Sequence, residues 1–258
     1  MSEPDAWAAL RRLTSARIAL GRAGVSLPTA RALEFQAAHA RARTAVHEAL
    51  DTDALLAALP DAFPAVHILA SEAADRATYL RRPDLGRRLD ATSRAALSPS
   101  EADLSVVICD GLSARAVAQN AAPFLAALLP RLAAEALTLA PLAVVREGRV
   151  AIGDEIGKRL GARMVVLLVG ERPGLSAADS LGVYITHAPR PGRNDGERNC
   201  ISNIRPGGLS FDEAAYRAHY LVSEGLARGL TGVALKDDTV APDAVEGGGS
   251  AQFLLPGR

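Results

Sequence analysis

Apolar positions follow two different rhythms along the chain. From Trp7 to about Ala96 they recur at helical spacing, as at Leu33, Ala37 and Ala40, in a background of Ala, Leu and Arg, and this spacing predicts helices only. Within that half, Gly21-Arg-Ala-Gly-Val-Ser-Leu-Pro-Thr29 reads as a helix stop followed by a start. Gly24 suits a left-handed cap, Ser26 an N-cap and Pro28 the first turn of a long helix running to about Leu50. The polar, Pro-containing stretch Leu97-Ser-Pro-Ser-Glu-Ala-Asp103 then marks a change of architecture.

Beyond it, short β-branched runs alternate with helical ones. Strands are predicted over Leu104 to Cys109, Leu142 to Arg146, Met164 to Val169 and Val183 to Thr186, and helices over Ala114 to Ala134, Ile152 to Leu160 and Phe211 to Arg228. The pattern implies an α/β fold: a mainly parallel, Rossmann-like sheet with helices on both faces, preceded by an all-helical N-terminal region. The corresponding divisions are residues 1–97, an α/β domain over 98–237, and a tail over 238–258 whose Gly-rich composition reads as flexible linker.

In such sheets ligands sit outside the carboxyl ends of the strands. Three turn-rich, polar segments fall there: Cys109-Asp-Gly-Leu-Ser113, Gly170-Glu-Arg-Pro-Gly174 and Ala188-Pro-Arg-Pro-Gly192. Glu171 therefore lies on the expected ligand edge, either as a ligand contact or as the partner of Arg172 or another surface arginine. Asp110 is expected to cap the following helix, with ligand contact the second reading. Val150 immediately precedes a helix start whose backbone N–H groups are suited to an amide carbonyl or a phosphate, although its side chain alone reads as core. Cys200 reads as a packing residue, with a reactive thiol the second reading.

Composition narrows the chemistry. Basic and acidic residues balance at 29 each in 258 residues, which removes any whole-chain argument for nucleic acid or an anionic membrane. Only Lys158 and Lys236 are lysine, so an individual arginine is weak evidence of function. Neither a signal peptide nor a membrane-spanning run is legible, and a soluble intracellular protein is expected. Cys109 and Cys200, the two cysteines, form no disulfide framework and are expected to be buried free thiols. The five histidines lack metal-ligand spacing. Gly153-Asp-Glu-Ile-Gly157-Lys158 is one residue too short for a phosphate-binding Walker loop, with Arg159 where a hydroxyl should follow, and no G-x-G-x-x-G follows a predicted strand.

Taken together, Leu13 to Thr29, Gly153-Asp-Glu-Ile-Gly157, Gly170-Glu-Arg-Pro-Gly-Leu175 and Asn199-Cys-Ile-Ser-Asn-Ile204 resemble the small subunit family of ethanolamine ammonia-lyase. Arg82 to Arg87, Asp110 to Ser113 and Asp179 to Gly182 fit as well, and the resemblance covers about residues 8 to 238. It implies a carbon–nitrogen lyase subunit active only in a hetero-oligomer with a large, barrel-shaped subunit. That complex uses adenosylcobalamin to convert ethanolamine into acetaldehyde and ammonia. The large subunit supplies the substrate site, and no catalytic residue is expected in this chain. Carried over by motif, the family's cobalamin contacts fall on Val150, Glu171 and Cys200, and the helical N-terminal region resembles the family's docking element for the large subunit, a plain solvated helical face being the competing reading. None of the five histidines stands in the D-x-H-x-x-G context that donates a cobalt ligand in other cobalamin domains, so the cofactor's own base is expected to stay on cobalt. The chain starts close to the first motif, without the longer leader of microcompartment-associated members, and the expectation is a cytoplasmic protein with a bacterial microcompartment as the other location.

Overall fold

A computed structural model of the chain describes residues 7–14 and 16–239. From residue 240 onward, the expected flexible tail lies outside the described residues. Helices α1 (Ala8–Arg11), α2 (Thr29–His47) and α3 (Thr52–Ala58) precede strand β1 (Val66–Ala70). There follow α4 (Arg76–Arg81), α5 (Ala91–Ala96), β2 (Leu104–Cys109), α6 (Ala114–Ala134), β3 (Leu142–Arg146), α7 (Ile152–Leu160) and β4 (Met164–Gly170). The chain closes with β5 (Leu181–His187), β6 (Asn199–Ile204) and α8 (Phe211–Arg228). Among these described residues no helix is long and apolar enough to cross a membrane.

The six strands form one sheet in the order β1-β3-β2-β4-β5-β6. The pairs β1/β3, β2/β3 and β2/β4 are parallel, and β4/β5 and β5/β6 are antiparallel. Every residue of β2 and β4 is buried, because helices cover both faces of the parallel part and a continuous apolar run satisfies both. Side chains alternate across β4. Val166 and Leu168 pack with Phe124, Leu125 and Leu128 of α6 and Leu221 and Val222 of α8, whereas Val165 and Leu167 pack with Ile152, Ile156 and Leu160 of α7. Fully burying each such side chain contributes about 1.5–3 kcal/mol, so the two helix layers are held by many comparable contacts. Local signals set the helix ends: Ser113 Oγ accepts the Ala116 N–H (3.2 Å) at the start of α6, and Gly161 in the left-handed region (φ 69°) ends α7.

Several expectations need correction. The N-terminal region is not helical throughout, since β1 pairs in register with β3 from Val66↔Leu142 to Ala70↔Arg146. β1 is a five-residue edge strand with Val66 and Ile68 exposed, so its conformation is decided by a partner far along the chain rather than by its own pattern. Ser26 does not cap α2. It exchanges backbone hydrogen bonds with Ala23 around a tight turn containing Gly24 (φ 64°), and Pro28 occupies the N-cap position without a side-chain bond. Asn199–Ile204 forms a strand that its polar composition does not announce.

The direction of β5 matters most for the site. The connection over residues 171–180 turns the chain back, so Gly170 pairs with Leu181 and Met164 with His187. Ala188 to Gly192 consequently leaves the sheet at the edge opposite Glu171 and drops out of the ligand edge. The loops after β2, β3 and β4 emerge together there.

Candidate functional site

Two adjoining clefts open beside these loops. One, of about 240 Å³, is lined by Tyr79, Gly111, Leu112, Arg149, Val150, Glu171 and Tyr184 among others; the second, of about 630 Å³, is lined by Arg149, Val150, Ala151, Tyr184, Asn194 and Cys200 among others. Val150 and Tyr184 line both and pack against the α7-side core. The three residues singled out from the sequence thus lie along one surface, with Glu171 in the first cleft, Cys200 in the second and Val150 where they meet.

Glu171 follows the last residue of β4. Gly170 must be glycine because a Cβ there would lie 2.0 Å from the Ser113 carbonyl oxygen, and this close approach brings the β4 end against the start of α6. The Glu171 backbone N–H donates to Ser180 O (2.9 Å), while Glu171 Oε2 accepts from the Ser180 hydroxyl and from the Asn203 N–H (3.3 Å). Oε1 accepts no hydrogen bond from the described residues, and neither Arg172 nor another described arginine pairs with this carboxylate. Gly182 makes room for it, since a Cβ there would sit 3.0 Å from Oε1.

Around Val150 the chain enters α7 through a tight turn. The N–H groups of Ile152, Gly153 and Asp154 donate to the carbonyls of Arg149, Val150 and Ala151 (2.9, 3.2 and 3.3 Å), so the helix start uses donors that the sequence reading left available. The N–H groups of Val150 and Ala151 remain without an acceptor among the described residues. Cys200 pairs with Tyr184 across β5 and β6. Cys109 is buried as expected, but Cys200 is exposed, because it sits on the outermost strand of the sheet. Although the residue is exposed as a whole, packing around its sulfur pushes the thiol pKa up, with Tyr184 opposing and the Glu171 charge reinforcing the shift. At neutral pH it is a protonated, polarizable surface rather than a nucleophile.

Asp110 does not cap α6; Ser113 does. Buried Asp110 instead accepts the N–H groups of Glu147 (2.9 Å, Oδ2) and Gly148 (3.2 Å, Oδ1), and Arg76 Nη1 lies 3.8 Å away. It thereby fixes the β3–α7 loop that carries Arg149 and Val150. Burial, reinforced by the Glu147 charge, pushes its pKa from 3.8 up to about 6, against the opposing pull of the loop N–H groups and Arg76. An acid whose folded pKa is raised keeps its proton longer in the fold, so stability falls as pH rises from about 4 to about 6, by about 2–3 kcal/mol. Asp110→Asn should flatten this part of the profile in chemical denaturation measured at pH 4, 5 and 6; equal slopes for both proteins would contradict the assignment.

A buried bidentate pair joins α7 to the segment that leads into β6. Arg198 Nη1 and Nη2 donate to Asp154 Oδ1 (2.5 Å) and Oδ2 (2.7 Å), and Arg198 also reaches Thr186 Oγ1 and Arg193 O. Asp154 stands in the first turn of α7 and Arg198 just before β6. Sequence reasoning missed this pair, together with Arg149 and Tyr184, because arginines are too numerous to stand out; the one available signal was the adjacency of Arg149 to Val150 and of Arg198 to Asn199-Cys200. Among the described residues no group of three or more His, Cys, Asp or Glu side chains is placed to hold a metal ion.

The sequence model of the ethanolamine ammonia-lyase light-chain family matches residues 4–236. Three curated relatives, each an ethanolamine ammonia-lyase small subunit, are similar over most of the chain. The protein of Pseudomonas syringae pv. tomato is 56% identical over 238 residues, covering 90% of this chain and 83% of the relative. That of Ralstonia nicotianae is 53% identical over 255 residues, covering 96% and 94%. That of Azotobacter vinelandii is 54% identical over 256 residues, covering 96% and 95%.

Proposed function

Given that the chain belongs to the ethanolamine ammonia-lyase light-chain family, we propose that it joins a large catalytic subunit and supplies one wall of an adenosylcobalamin site in the enzyme that converts ethanolamine into acetaldehyde and ammonia. The observation that carries this reading is the alignment of Val150, Glu171 and Cys200 along two adjoining clefts. The cofactor is a broad, largely apolar macrocycle fringed by primary amides, and the residues present suit it. Glu171 Oε1 is an acceptor for an amide N–H, and the Val150 and Ala151 N–H groups are donors for a carbonyl. The Cys200 thiol and the Tyr184 ring give a polarizable, mostly apolar surface. When bound, adenosylcobalamin supplies the radical that abstracts hydrogen from the substrate. This chain's residues bind and orient it and keep water from one side.

A second surface suits the large subunit. Leu13, Val25, Leu27, Leu33 and Phe35 are all exposed within a short N-terminal span, and α2 buries only Ala38, Ala42 and Ala45. So many exposed apolar side chains in one stretch of sequence favour a partner that covers them. The test is retention of hydroxocobalamin through gel filtration. The assembled complex should carry it while this chain alone does not; an assembled complex that elutes free of cobalamin would overturn the reading in favour of a non-catalytic interaction protein of the same fold.

A further inference from the structure

Arg149 is the charged residue common to both clefts, and its guanidinium is held rigidly from behind. The guanidinium carbon lies 4.2 Å from the centroid of the Tyr79 ring, and Nη2 donates to Tyr79 O (3.2 Å). Tyr79 is fully buried, its hydroxyl donates to Gly148 O (3.0 Å), and Arg76 packs on the same ring at 4.8 Å. The base of the side chain is equally confined, since Arg149 Cγ lies where a Cβ on Gly86 would come within 2.8 Å.

What this fixed group lacks is an acceptor for its remaining N–H groups. Arg149 Nε is buried without a hydrogen-bond partner, Nη1 makes none among the described residues, and no described carboxylate lies within ion-pair distance. The other arginines packed beneath this surface do have carboxylates: Arg198 has Asp154 and Arg76 has Glu147. Leaving a charged donor unmatched in a semi-enclosed site is costly, whereas holding one in place for an incoming oxygen is how binding sites are prepared.

We infer that Arg149 is a further ligand-holding residue of the cleft, which donates to an acceptor oxygen of the bound cofactor, an amide carbonyl or the phosphodiester of its nucleotide loop. The inference rests on the cobalamin reading above. It complements Glu171: in the first cleft, which both residues line, the carboxylate serves donors and the guanidinium serves acceptors, and a rim of primary amides offers both.

The test uses the complex with the large subunit and two probes in equilibrium dialysis, hydroxocobalamin and dicyanocobinamide, the second of which keeps the peripheral amides but lacks the phosphate. Arg149→Met should weaken hydroxocobalamin binding about tenfold or more, with subunit assembly unchanged on gel filtration and with Arg149→Lys recovering part of the loss. A loss shared by both probes identifies an amide carbonyl as the acceptor, and a loss confined to hydroxocobalamin identifies the phosphate. If Arg149→Met binds both probes like the unmodified complex while Glu171→Gln binds them weakly, the inference fails and the cobalamin reading stands. If the unmodified complex binds neither probe, both fail together.

Discussion

Arg198→Met should lower stability by about 3–5 kcal/mol, a fall in Tm of about 6–20 °C for a chain of this size. Both side chains of the Arg198–Asp154 pair are only 2% exposed, so the substitution strands a carboxylate where water cannot reach it. Burial already outweighs the arginine in setting the Asp154 pKa, which lies above its ordinary value even with Arg198 in place; without it, Asp154 must take up a proton or expose itself. Replacing both partners, as in Asp154→Leu with Arg198→Met, should cost less than Arg198→Met alone, because a matched apolar pair leaves no uncompensated charge. Asp154 lies four residues after Val150 and Arg198 two residues before Cys200, so the pair ties together the segments that carry these two lining residues of the second cleft. A Tm within about 2 °C of the unmodified chain would show that the pair contributes little.

Glu171→Gln should weaken cobalamin retention by the assembled complex about tenfold while leaving assembly intact. Glutamine has nearly the same shape, and its carbonyl can still accept from the Ser180 hydroxyl and the Asn203 N–H that now meet Oε2. The local fold should therefore survive, and what is lost is a charged acceptor at Oε1, replaced by an amide that donates where a cofactor amide also donates. Charge-assisted hydrogen bonds are roughly twice as strong as neutral ones, which is the margin the substitution removes. Binding measured by equilibrium dialysis checks it, and unchanged affinity would sink the role assigned to Glu171.

Long, regular segments were legible from sequence. β2, β3, α6, α7 and α8 have the bounds that their apolar periodicity predicts, because each carries enough buried positions for the pattern to exceed the noise. Edge strands were not. β1 and β6 have five and six residues with mixed exposure, and their partners decide their conformation. Nor did periodicity reveal that the chain reverses after β4, since antiparallel and parallel strands with similar burial read alike; that reversal removes Ala188 to Gly192 from the site. The loop position of Glu171 was deducible, as was that of Val150, but the acceptor role of Asp110 toward the β3–α7 loop depends on a contact between distant segments. Arg149 and Arg198 were hidden by the abundance of arginine: their importance lies in what surrounds each guanidinium, and only the folded chain shows that.

We propose that this chain completes a cobalamin-dependent enzyme together with its large subunit. Ammonia release from ethanolamine, with adenosylcobalamin and a purified cognate large subunit, tests it most directly when measured with and without this chain. Release that requires both proteins is the predicted result. Full release by the large subunit alone, or none from a complex shown to be assembled, would contradict it.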